Sequence, residues 1–114
     1  LMTTITLVKA RSGLSISCKA LGHSGFAKSG EDIVCSAVTI LMRTALQVLS
    51  QTSGIDFETD TSLRGNLSFS AKVIKSDLIL QERILTIGDF LENGFNSLSE
   101  EFPKNVTFEI KLED

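Results

Sequence analysis

Leu14-Ser15-Ile16-Ser17-Cys18-Lys19-Ala20-Leu21 alternates apolar and polar residues along its length. Successive side chains of a strand point to opposite faces. Leu14, Ile16, Cys18 and Ala20 therefore share one side, and Ser15, Ser17 and Lys19 the other. A strand with one buried and one wet face suits a largely antiparallel sheet. Residues 3–8 repeat the pattern, with Ile5 and Leu7 set against Thr4 and Thr6. Residues 9–13, Lys-Ala-Arg-Ser-Gly, read as the hairpin turn between the two strands.

Downstream, residues 22–30 hold Gly22, Gly25 and Gly30 with Ser24 and Ser29, and predict a loop able to act as a lid. Ser29 and Asp32 have capping-box spacing, with Asp in place of the usual Glu. A helix follows to about Gln51, with Ile33, Val34, Ala37, Val38, Leu41, Ala45, Val48 and Leu49 on its apolar face. Ile55 and Phe57 alternate with Asp56 and Glu58, which allows a short edge strand. Leu67, Phe69, Ala71 and Val73 mark another strand.

Ser76 or Asp77 caps a second helix of about twenty residues carrying Leu80, Ile84, Ile87, Leu91, Phe95 and Leu98. Pro103 ends the connection, and Val106, Phe108, Ile110 and Leu112 form a last strand. The expected order is β-β-α-(β)-β-α-β. The fold class is α+β: a largely antiparallel sheet of four to five strands with two helices packed on one face.

The 114 residues suit a single domain over 1–114. Hydrophobic residues make up 42% of the chain, with seven Phe and neither Trp nor Tyr, so the core is aliphatic. The net charge of −3 counts against a nucleic-acid partner, which calls for a basic face, and suits a basic peptide or protein better. Two cysteines are too few for a disulfide framework. No apolar run approaches the roughly 18–20 residues of a membrane span. A cytoplasmic protein with reduced thiols and no membrane partner is expected. Two Cys and one His, with no Cys-x-x-Cys pair, predict no metal site and no cofactor.

His23, the one histidine, stands twelve residues before Cys35. It falls at the end of a predicted strand, and Cys35 falls early in a predicted helix. A strand-loop-helix connection of this kind can bring an imidazole to a thiol. A free thiol has a pKa of about 8.5 and attacks as the thiolate, so it needs such a partner. The helix dipole adds a little, since it fades beyond the first turn. Asp32 beside a thiolate would oppose ionisation. Two roles remain open to it: capping the helix, or accepting a hydrogen bond from His23. Gly22 and Gly30 allow close backbone approach, as a substrate chain against the nucleophile requires, and both also suit plain turns. The plainer reading of either cysteine is a small buried hydrophobe, and for Cys18 that reading prevails.

Gly22-His23, a short loop, then Gly30-Glu31-Asp32-Ile33-Val34-Cys35-Ser36-Ala37-Val38 resembles the signature of the ribosomal-processing cysteine protease family, Prp. The motif covers about residues 22–39, and the length and element order of the whole chain agree with it. The resemblance implies a homodimeric α+β cysteine endopeptidase that removes a short N-terminal extension from a large-subunit ribosomal protein in bacteria. It implies Cys35 as nucleophile and His23 as base, and places the family's aspartate on Asp32. Thr39 stands where the family commonly has a serine. Ser24 through Ser29, including Gly25, form its substrate loop.

Two other readings stand beside it. One is a non-enzymatic ribosome-associated binding module. The other is a dimeric scaffold with a structural cysteine, for which Leu78, Ile79, Leu85 and Phe90, off the main stripe of the second helix, offer a surface.

Overall fold

Alternating side chains turn one face of a five-stranded sheet toward two helices and leave the other open. The computed structural model describes residues 2–22, 29–60 and 66–114, with residues 29–32 as backbone only. The elements are β1 (Thr3–Ala10), β2 (Ser15–Leu21), α1 (Ser29–Ser50), β3 (Ile55–Asp60), β4 (Asn66–Val73), α2 (Leu78–Glu101) and β5 (Val106–Glu113). Order and class match the sequence expectation, and the permitted edge strand is β3.

The sheet order is β3-β4-β2-β1-β5. β3, β4, β2 and β1 pair antiparallel in turn, whereas β1 and β5 run parallel. α2 carries the chain from β4 across to β5, which lets the last strand join in the same sense as β1. Across the core face one row reads Phe69, Cys18, Leu7, Ile110, each opposite the next. A one-residue slip would turn this row to solvent, so burial fixes the register.

The helices close over that face. Val34, Val38, Met42, Ala45 and Leu49 of α1 are buried, as are Ile84, Leu91, Phe95 and Leu98 of α2. Asp77 caps α2, its Oδ1 accepting from the backbone N–H of Ile79 (2.8 Å) and Leu80 (3.2 Å). Lys9 ties β1 to α2, with its Nζ 2.9 Å from Asp89 and 3.0 Å from Glu92. Burial pulls the Lys9 ammonium down, but hydrogen bonds to the two carboxylates prevail and its pKa stands above the usual lysine value.

Two expectations need correction. Ile33 and Val48, placed on the apolar stripe of the first helix, are 58% and 39% exposed. Consecutive helical residues lie about 100° apart, so Ile33 points away from the sheet that Val34 meets. The window Ile33–Ser50 has a mean hydropathy of 1.7, long and apolar enough to cross a membrane by length and composition. Polar residues such as Arg43 break it as a run but do not outweigh it on average. A core helix passes the same test, and this one carries five buried residues in the domain core.

Candidate active site

β2 ends at Leu21, and Gly22 turns the chain out of the sheet with φ +81°. A Cβ at Gly22 would stand 2.5 Å from the carbonyl oxygen of Met2. Only glycine fits that bend, because L side chains clash at this φ and here also meet backbone. His23, Ser24 and Gly25 lie outside the described residues, as does the side chain of Asp32. The helix begins at Ser29, so Gly30 sits within its first turn rather than in a loop before it.

Cys35 lies nearly two turns into α1 and is half-buried. Thr39, one turn further on, is half-buried on the same flank. The opposite flank carries Leu41, which packs on Gly94 of α2: a Cβ there would come within 3.1 Å of Leu41 Cδ1. α1 also packs against β3 and β4. Cys35 and Thr39 therefore lie on the β3 side of α1, away from α2.

Cys18 is the contrasting thiol. It is 2% exposed between Leu7 and Phe69. Burial pushes its pKa up to about 12, against a smaller opposing pull from a backbone hydrogen bond at Lys19. A thiol so placed is neutral at any physiological pH and out of reach of a substrate. Neither cysteine is in a disulfide. Among the described residues no three His, Cys, Asp or Glu side chains gather where a metal ion would sit.

Among the described residues three grooves stand out, and Cys35 is not in the lining of these. Two, of about 290 and 560 Å³, lie on the open sheet face and share Val8, Ser17, Glu58 and Ser70. The third, about 590 Å³, lies between Val48 and the Leu78–Ile79 end of α2, at the far end of α1 from Cys35. A further feature lies on the open face of the sheet, away from the helices. Asp56, Glu58 and Asp60 form an acidic row on edge strand β3, visible in the alternation of residues 55–60.

Comparison with known proteins places the whole chain. The family model described as cysteine protease Prp matches residues 2–107. The chain belongs to the Prp family of cysteine proteases. Solved structures agree in fold. SMU.848 from Streptococcus mutans superposes with a TM-score of 0.74 at 23% identity, covering 98% of this chain and 96% of that one. The essential ribosomal processing protease Prp from S. aureus, in complex with a substrate peptide, gives 0.73 at 16% identity over 96% of this chain and all of that one. The same Prp with a covalently linked product peptide gives 0.63 at 20% identity, with the same coverage. No match is found among curated proteins.

Proposed function

We propose that this protease is an endopeptidase that removes a short N-terminal extension from a large-subunit ribosomal protein, with Cys35 as nucleophile and His23 as its base. The contrast between the two thiols carries the reading. A cysteine protease needs an accessible thiolate. Cys18 is sealed in the core with its pKa pushed up to about 12, whereas Cys35 is half-buried on an outer helix flank. The S. aureus protease, solved with a substrate peptide and with a covalently linked product peptide, supports the substrate class.

In this reading His23 takes the proton from Cys35 Sγ, and the thiolate attacks the scissile carbonyl carbon. His23 returns the proton to the departing amine, leaving a thioester, and water then releases the new acid and the thiol. Asp32 caps α1 or holds the His23 ring. Gly22 sets the course of the chain toward His23, while Ser24, Gly25 and Gly30 give the substrate backbone room. Thr39 supplies a hydroxyl one turn from the nucleophile. A net charge of −3 favours a basic protein substrate over nucleic acid. The site of action is the cytoplasm, where thiols stay reduced.

The proposal includes a homodimer joined at the outer edge of β5. Asn105 O accepts from Thr3 N and Glu113 O accepts from Arg11 N, so odd-numbered residues of β5 turn their backbone toward β1. Phe108, Ile110 and Leu112 turn theirs outward. A two-fold axis at Ile110 would set Glu109 against the partner's Lys111 and Phe108 against the partner's Leu112, a self-complementary antiparallel edge.

The test is intact-mass analysis of the host's ribosomal proteins after incubation with this chain, beside a Cys35→Ala control. Loss of one discrete N-terminal segment, absent in the control, is the expected result. Unchanged masses with folded protein and reduced thiols would sink the substrate assignment.

A further inference from the structure

Thr3 is 4% exposed and is the one buried polar residue among those described. Its backbone belongs to the sheet: Thr3 N donates to Asn105 O at 2.8 Å, and the residue stands opposite Val106 of β5. Its side chain shares the core face with Ile5 and Leu7, both fully buried. The hydroxyl of Thr107, on the open face, donates to Met2 Sδ at 3.3 Å. The Thr3 hydroxyl has no partner among the described residues. A hydroxyl sealed in a core without a hydrogen bond is destabilising, and valine would fill the same space without that cost. Such a group calls for a partner.

Gly22 lies against this residue. A Cβ on Gly22 would stand 3.8 Å from Thr3 Cα. His23 follows by one peptide bond, and consecutive Cα atoms are about 3.8 Å apart. The Cα atoms of Thr3 and His23 are therefore at most about 9 Å apart, whatever course the chain takes. A threonine hydroxyl and a histidine ring together span most of that distance and leave no more than one hydrogen-bond length. The direction agrees. α1 packs on the core face and begins at Ser29, so the chain beyond Gly22 must cross to the side on which the Thr3 hydroxyl lies.

We propose that Thr3 is a positioning residue for the catalytic base: its Oγ1 accepts a hydrogen bond from one ring N–H of His23. That bond fixes the tautomer whose other nitrogen is free to take the proton from Cys35, and it steadies the imidazolium that results. It leaves Asp32 to cap α1. The inference rests on the peptidase reading, in which His23 is the base.

His23 is the one histidine in the chain, so imidazole nitrogen NMR reads it alone. Wild type should show a single tautomer with its ring N–H held against exchange with water. Thr3→Val should show mixed tautomers, with that proton exchanging freely. The same variant should lower kcat about tenfold on a synthetic peptide spanning the N-terminal extension, with KM unchanged. It should melt close to wild type, and Thr3→Ser should restore most of the rate. Thr3→Ser set against Thr3→Ala carries the same comparison should Thr3→Val fail to fold.

An imidazole spectrum and a kcat that both ignore the loss of the hydroxyl overturn the proposal. So does a Thr3→Ser variant as slow as Thr3→Val, which would make Thr3 a packing residue only. His23→Ala separates the two readings. If it cleaves at the wild-type rate, the peptidase reading with His23 as base fails. If it is inactive while Thr3→Val is unaltered, the positioning role fails alone.

Discussion

Leu41 of α1 seats against the bare backbone of Gly94 in α2, with both of its methyl groups within 3.2 Å of where a Cβ would stand. That seat fixes the rotation of α1, and so the direction in which Cys35 faces. A large side chain at Gly94 must push the helices apart. Gly94→Leu should cost about 1–3 kcal/mol of stability by overpacking, read as a lower urea midpoint. It should also slow alkylation of Cys35 relative to a small-residue control, Gly94→Ala. Equal midpoints for wild type and Gly94→Leu would show that the seat does not constrain the helix pair.

The two thiols should separate cleanly by reactivity. In native protein at pH 8, iodoacetamide should modify Cys35 alone, with Cys18 reacting only in denaturant. The pH dependence of stability follows from the same burial. The folded pKa of Cys18 is about 12 against an ordinary 9.0. Its contribution is fully present below pH 9 and is lost as pH rises toward 12, because the unfolded chain sheds the proton first. The slope approaches about 1.4 kcal/mol per pH unit. Urea midpoints at pH 7.5 and 10.5 should fall further for wild type than for Cys18→Ala, and parallel falls would contradict the assignment.

Gly22 offers a sharper break. Its φ of +81° and the 2.5 Å approach to Met2 O leave no room for a side chain. Gly22→Ala should cost about 1–3 kcal/mol. Because this bend directs the chain toward His23, proteolysis should fall by more than the folded fraction does. A thermal melt beside a progress curve checks both, and unchanged melting would mean that the bend relaxes freely.

The strands were legible because each carries its own alternation: Cys18 could be placed inside from Ile16 and Ala20 alone. The helix rotations were not. Ile33 looks like part of a stripe with Val34, and only the sheet beneath decides which of the two neighbours is buried. The parallel partnership of β1 with β5 was equally hidden, since it joins residues a hundred positions apart through a helix that passes over the intervening strands. The sequence motif alone points to Cys35 and His23 as partners; His23 lies outside the described residues, and the sealing of Cys18 leaves Cys35 as the more accessible thiol. The placement of β3 beside the Cys35 flank is tertiary and carries no local signal.

The outer edge of β5 gives the last prediction. Ile110 is 37% and Leu112 55% exposed on a strand of eight residues whose even positions offer their backbone outward. Long open edges of this kind invite a second copy. Ile110→Pro removes an outward N–H at the proposed two-fold axis and leaves the pairing with β1 intact, so the fold should survive. Sedimentation should show a dimer for wild type and a monomer for Ile110→Pro. Glu109→Lys should weaken the dimer through like charge against the partner's Lys111, and the double variant Glu109→Lys with Lys111→Glu should restore it. A dimer that ignores all three changes must be built on another surface, and the exposed pair Leu78 and Ile79 would be the next to probe.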